Sequence, residues 1–221
     1  MGVGVDVRNK LAKRAAEEIQ HGMLVNLGIG IPSLVPNHLP KEVTVMFHAE
    51  NGITGMGPSP NKGEEDENLC NAGGFPVTLT TGGSYCDSAV AFAMIRRGRV
   101  DLTILGSLEV SAKGDLANWI VPGKKVPGMG GAMELAQKAE KVIVLMNHCD
   151  RKGKAKIVKE CTLPLTSSSC VDLIITELGV FKVTAQGLVL TELFPPYDLS
   201  QVIDKTGCDF KVSEQIRKIT Y

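Results

Sequence analysis

Met23-Leu24-Val25-Asn26-Leu27-Gly28-Ile29-Gly30-Ile31-Pro32-Ser33 decides the fold class of this chain. Its first five residues form a short, mostly apolar run of the kind that becomes a buried strand. The run passes directly into a glycine turn, and a short helix is predicted over Ser33–His38. Upstream, Leu11, Ala15 and Ile19 recur on one face of a segment that starts at Val7, with charges opposite, which predicts an amphipathic helix ended by Gly22. Downstream, Val43-Thr44-Val45-Met46-Phe47 predicts a second strand. Residues 52–74 are rich in Gly, Pro, Asn and acidic residues and read as an excursion loop, a feature that often borders a site. Asp87 is a helix-starting residue for Ser88–Arg97, with Gly98 as its stop.

The alternation continues with strands over Val100–Leu105 and Lys141–Met146 and a helix over Ala132–Lys138 between them. Strands alternating with helices imply an α/β domain whose mainly parallel sheet is flanked by helices on both faces. The last third differs. Leu173–Thr176, Val180–Val183 and Leu188–Leu190 are short β runs separated by turns, so antiparallel strands are expected late in the chain, before a small helix over Leu199–Asp204. The 221 residues show no repeat or low-complexity linker and are read as one domain over 1–221.

The bulk properties exclude several classes of function. With 24 basic and 24 acidic residues the formal charge is zero, which removes the electrostatic footprint of a nucleic-acid binder. The acidic run Gly63-Glu64-Glu65-Asp66-Glu67 reads as a solvated loop. No apolar stretch approaches the ~20 residues of a membrane span, and no secretory layout opens the chain. Met1-Gly2 resembles the start of a myristoylation signal, but Asp6 stands where Ser or Thr is required. A cytoplasmic location is expected. The six cysteines Cys70, Cys86, Cys149, Cys161, Cys170 and Cys208 show no metal-ligand spacing and are expected to be reduced, mostly buried thiols. His148-Cys149-Asp150 contains the residue types of a catalytic trio, yet adjacent residues rarely converge on one reacting atom.

Ligands of parallel α/β sheets bind outside the carboxyl ends of the strands. Gly28-Ile29-Gly30 follows the first strand and His48-Ala49-Glu50-Asn51-Gly52 the second. A third glycine cluster, Gly128-Met129-Gly130-Gly131-Ala132, precedes a helix, where backbone amides can face an anion. Gly28-x-Gly30 begins like a dinucleotide fingerprint, but Ser33 holds the third glycine position and Pro32 interrupts the turn. Taken alone, these glycines equally well make tight turns. Glu50, at the end of an apolar strand, reads either as a reactive carboxylate or as a structural one bonding loop amides.

Met46-Phe47-His48-Ala49-Glu50-Asn51-Gly52-Ile53 closely resembles the glutamate signature of the class I coenzyme A-transferases, as it occurs in the β subunit of 3-oxoacid CoA-transferases. The likeness runs through Val25–Pro32, Leu69–Gly74, Phe92–Arg96, Gly114–Trp119, Val121–Lys124, Gly128–Met133 and Lys159–Thr166, in order along nearly the whole chain. It departs at Ala49, where the family usually has Ser, at Asn147, where Glu is more usual, and at Cys86, where an aromatic is common. Family members differ mainly in the acid they accept, so these departures bear on substrate preference.

The resemblance implies that Glu50 is the nucleophile of a ping-pong exchange through a glutamyl-CoA thioester. It implies that Gly130 and Gly131 supply oxyanion donors, that Gly28 and Gly30 wall the acyl site, and that Asn51 belongs to the same substrate-binding set. The implied substrates are coenzyme A thioesters and a short-chain 3-oxoacid such as acetoacetate, with no permanently bound cofactor and no metal expected. The expected partner is an α subunit, in an α2β2 heteromer. The alternative is a non-catalytic structural or regulatory subunit of the same fold.

Overall fold

The computed structural model describes residues 4–123, 126 and 128–220. Met1-Gly2, and Lys124 of the Val121–Lys124 segment, lie outside the described residues. The chain opens with helix α1, Val5–Ala16, followed by strand β1, Leu24–Leu27. The helix ends three residues before Ile19, and Gly22 does not cap it. Gly22 instead turns the chain into β1 at φ +85° and donates its N–H to Thr44 O at 2.8 Å. Ile19 still packs into the core from beyond the last helical turn.

Pro32–His38 is a 3₁₀ helix rather than an α-helix. Pro36 inside it has no N–H to offer a longer helical ladder, so the tighter form is what the sequence permits. Strand β2 is Met46–Ala49, displaced from the predicted 43–47 because the chain first turns at Pro40–Val43. Two strands follow that the sequence did not announce, β3 at Ile53–Met56 inside the expected excursion loop and β4 at Leu79–Tyr85 beyond it. Helix α2, Ser88–Arg96, begins as expected at Asp87, whose side chain accepts from Val90 N at 2.8 Å.

The remaining elements are β5 (Leu102–Gly106), β6 (Glu109–Ser111), β7 (Leu116–Ala117), α3 (Ala132–Lys138), β8 (Lys141–Leu145), β9 (Ile157–Val158), β10 (Leu173–Ile175), β11 (Gly179–Thr184), β12 (Gly187–Leu193), α4 (Leu199–Lys205) and β13 (Lys211–Lys218). Ten of the strands form one sheet in the order β13-β12-β11-β10-β8-β5-β1-β2-β3-β4. Its centre, β10-β8-β5-β1-β2, is parallel throughout. Antiparallel pairs extend it on both sides, β10-β11-β12 at one end as expected and β2-β3-β4 at the other. Strands β7-β6-β9 make a separate small sheet.

Alternation along the central strands divides two cores. Leu102, Ile104, Ile143, Leu145, Leu173 and Ile175 face α1 and the 3₁₀ helix. Leu105, Val142, Val144 and Ile174 face the other way, into the core that also holds the small sheet. Ile95 of α2 and Leu135 of α3 pack over Leu24 on that second face. Each fully buried Leu or Ile contributes about 1.5–3 kcal/mol. A buried ion pair ties α1 to the far side of the sheet. Arg14 Nε and Nη2 donate to Glu192 Oε2 and Oε1, both at 2.7 Å, and Nη1 donates to Glu18 Oε1 at 2.7 Å.

The structure corrects the expectation of mostly buried thiols. All six cysteines are free, Cys70 is exposed and the other five are half-buried. No helix is long and apolar enough to cross a membrane among the described residues.

Candidate active site

The order in which strands are laid down reverses beside β1, whose parallel neighbours are β2, next in sequence, and β5, which arrives after a long excursion. Such a reversal opens a crevice at the carboxyl ends of the strands. Glu50 lies one residue beyond β2 in that crevice.

The turn carrying Glu50 is fixed by backbone. Gly52 N donates to Ala49 O at 3.0 Å and Cys86 N donates to Gly52 O at 2.9 Å. At Gly52 φ is +118°, and a Cβ there would stand 2.1 Å from Cys86 O, so only glycine fits. The Asn51 side chain points away from a free role, donating to Cys70 O at 2.7 Å and tying the Leu69–Gly74 loop to the turn.

The structure brings the third glycine cluster to Glu50. A Cβ added at Gly131 would lie 3.1 Å from Glu50 Cγ and 3.3 Å from its Oε1, and one at Gly130 3.9 Å from Oε1. The backbone of Gly131 therefore packs tightly against the Glu50 side chain, with Gly130 in ordinary contact beside it. Their N–H groups have no hydrogen-bond partner among the described residues. Gly28 is held against β5, where its N–H donates to Ile104 O at 2.8 Å and a Cβ would lie 3.3 Å from the same oxygen. Gly30 has φ +89° and open space around it. Between them Ile29 is 67% exposed, its Cγ2 lying where a Cβ of Gly73 would come within 2.6 Å.

Asn26 is a site residue that local sequence reading missed. On β1 its register partners are His48 on β2 and Thr103 on β5, so the three polar side chains form a row on the α2 face of the sheet. Asn26 Nδ2 donates to His48 O at 3.1 Å and to Glu50 Oε2 at 3.3 Å. The available signal was a polar residue inside an apolar strand, since a buried polar group needs partners. Two atoms of the row, His48 Nε2 and Thr103 Oγ1, are buried without a hydrogen-bond partner among the described residues.

His148-Cys149-Asp150 is not a catalytic trio. His148 is fully buried, and its Nδ1 and Nε2 each lie 2.9 Å from a threonine hydroxyl, those of Thr176 and Thr206. Burial pushes its pKa down to about 4. Burial also raises the Cys149 thiol, whose Sγ faces Lys205 O at 3.8 Å. No cluster of His, Cys, Asp and Glu with metal-holding geometry occurs among the described residues.

The residues that build this crevice lie within a stretch that matches a known family of enzymes. The model of the coenzyme A transferase family matches residues 8–205, and the chain belongs to that family. More particularly, it is of the β-subunit kind. It is 59% identical over 212 residues to the probable beta subunit of a coenzyme A transferase of Bacillus subtilis (strain 168), covering 96% of this chain and 98% of that one. It is 49% identical over 211 residues to one subunit of a probable succinyl-CoA:3-ketoacid coenzyme A transferase of the same organism, with 96% and 98% covered. The likeness extends to the mitochondrial succinyl-CoA:3-ketoacid coenzyme A transferase 2A of Rattus norvegicus, 51% identical over 95% of this chain but only 41% of that longer one. The fold matches an acyl-CoA transferase apoenzyme of Escherichia coli O157:H7 with a TM-score of 0.77 at 21% identity, over 100% of this chain and 45% of that one.

Proposed function

We propose that the chain is the catalytic β subunit of a CoA-transferase that moves CoA between an acyl-CoA and a short-chain 3-oxoacid such as acetoacetate, with Glu50 as the carboxylate nucleophile. The observation that carries this reading is the packing of Glu50 on Gly131 at the switch point of the sheet, so close that a Cβ added to Gly131 would stand 3.1 Å from Glu50 Cγ and 3.3 Å from Oε1. The substrate class follows the names of the succinyl-CoA:3-ketoacid relatives.

A carboxylate suits this exchange because it trades places with the substrate's own carboxylate. Glu50 attacks the thioester carbonyl, forming a C–O bond while the C–S bond breaks, to give a mixed anhydride and CoA thiolate. The thiolate then attacks the glutamyl carbonyl, releasing the donor acid as its carboxylate and leaving a glutamyl-CoA thioester. The acceptor acid reverses both steps, so the kinetics are ping-pong. Each attack builds an oxyanion, and the N–H groups of Gly130 and Gly131 are the donors assigned to it. Loss of one such donor typically costs ~3 kcal/mol of barrier. Gly28 and Gly30 leave room for the acyl group beside the turn. Asn26 aims the carboxylate, while Asn51 contributes by anchoring the loop that borders the pocket.

The partner is an α subunit, in an α2β2 heteromer that works in the cytoplasm. The subunit names of the Bacillus relatives and the 41% coverage of the longer rat chain support a site completed by a second half. The test is to assemble the chain with its partner, supply an acyl-CoA without acceptor, and reduce with borohydride. A mass change on the Glu50 peptide is expected, and turnover with that peptide unmodified would refute the mechanism. Glu50→Gln should abolish exchange and leave assembly intact.

A further inference from the structure

His48 sits at the point from which Glu50 is held, 1% exposed on β2 between Asn26 of β1 and Thr54 of β3. The orientation of the Asn26 amide, 2% exposed, is set by two groups that only accept hydrogen bonds. Its Nδ2 lies 3.1 Å from His48 O and 3.3 Å from Glu50 Oε2, so the NH₂ end must face them. The same Nδ2 is 3.4 Å from His48 Nδ1. Both amide hydrogens are engaged by those oxygens, and a proton on Nδ1 would face the NH₂ group donor to donor, so Nδ1 keeps its lone pair and His48 is a neutral ring protonated on Nε2. Among the described residues, Glu50 is the charged group that acts on this ring. The groups facing it from β1, β3 and α2 are Asn26, Thr54 and the backbone of Ala91, none of which titrates.

We infer that His48 is a positioning residue: with Nδ1 unprotonated its ring leaves the Asn26 amide turned to donate to Glu50, and proton uptake at Nδ1 undoes that arrangement. The inference rests on reading Glu50 as the nucleophile. A solvent proton added to the Nδ1 lone pair places two donors face to face. The amide then turns over, giving up its bond to the His48 carbonyl as well, so that Oδ1 accepts from Nδ1–H and comes to stand against the carboxylate oxygen. Glu50 loses the side-chain donor it has among the described residues and faces an oxygen instead. Burial lowers the basicity of His48, while the Glu50 charge and the Ala91 backbone raise it in part. The release therefore falls on the acid side of neutrality, as a loss of kcat and not of substrate binding.

The test uses the complete α/β enzyme and measures kcat and KM from about pH 5 to 9. His48→Leu, which offers no acceptor, should lower kcat about tenfold with KM nearly unchanged. His48→Gln, whose Oε1 can accept from Asn26 and which does not titrate, should recover most of that loss and move the acid limb of kcat to lower pH. An acid limb in His48→Gln that superimposes on the unaltered enzyme overturns the inference. Should the variants fail to assemble, ¹⁵N spectra of the imidazoles in the unaltered enzyme decide. An Nε2–H tautomer for His48 at pH 7 supports the assignment, and an Nδ1–H tautomer refutes it. Glu50→Gln separates the two claims: an active variant removes the nucleophile, whereas an inactive one beside an unmoved acid limb removes only the role of His48.

Discussion

Asn26 Nδ2 and Glu50 Oε2 lie 3.3 Å apart, joined across two parallel strands by the register that sets Asn26 opposite His48. The bond is long for its type, and it is shared with the His48 carbonyl, so it aims the carboxylate without neutralising it. A nucleophile needs that restraint, because small misplacements cost large factors in rate.

Replacing Asn26 by Ala should lower kcat about 10- to 100-fold, the loss of one aiming hydrogen bond in a buried setting. Asn26→Asp should be worse, since it sets a second carboxylate against the first. Steady-state kinetics on variants with unchanged circular dichroism check the order, and Asp outperforming Ala would show that Asn26 does not govern Glu50.

Gly131→Ala brings a methyl group to within 3.1 Å of Glu50 Cγ and 3.3 Å of Oε1. The backbone at Gly131 has φ −82°, which alanine adopts freely, so the change should leave stability nearly intact. Its effect should fall on the chemistry, as a drop in kcat of at least about tenfold. Unchanged turnover would mean that Glu50 works in another rotamer.

Arg14→Ala strips Glu192 and Glu18 of a buried partner that meets them at 2.7 Å. Breaking such a pair typically costs about 3–5 kcal/mol. Urea unfolding should show a loss of this size, while Arg14→Met, of similar length, should lose less than Glu192→Ala and Arg14→Ala added together. A loss under about 1 kcal/mol would place the network among surface ion pairs.

His148 gives the fold a pH dependence. Its pKa falls from an ordinary 6.5 to about 4 on folding, so between these values the unfolded chain binds a proton that the native one refuses. This contribution to stability is fully present above pH 6.5 and is lost as pH falls towards 4, to a total of roughly 3 kcal/mol. A nuclear magnetic resonance titration of the His148 ring should show no protonation until about pH 4. A midpoint near 6.5 would disprove it.

The parallel centre of the sheet was legible because β1, β5 and β8 are apolar runs that satisfy both faces on their own. Helix α2 was legible from Asp87 and Gly98. Strands β3 and β4 were not: Leu79-Thr80-Thr81-Gly82-Gly83-Ser84-Tyr85 carries few apolar residues, and its order comes from the ladder its neighbour offers. Strand β13, charged along Lys211–Lys218, was hidden for the same reason. At the site, Glu50, Gly130 and Gly131 stood out through their glycine neighbours and the family likeness. Asn26 did not, because its meaning lies in a register between strands about twenty residues apart, which no local pattern encodes.

The lock between Gly52 and Cys86 has a consequence for how such a chain changes over time. In the proposed reaction the nucleophile hangs from a turn clamped by the main chain at Gly52 and Cys86, whereas Ile29 of the Gly28–Gly30 turn meets the loop at Gly73 outside that clamp. Under the proposed function, residues of that turn and loop can therefore be exchanged without disturbing the clamp that holds Glu50. A new preference is reached by altering the rim, and the inherited chemistry travels with it.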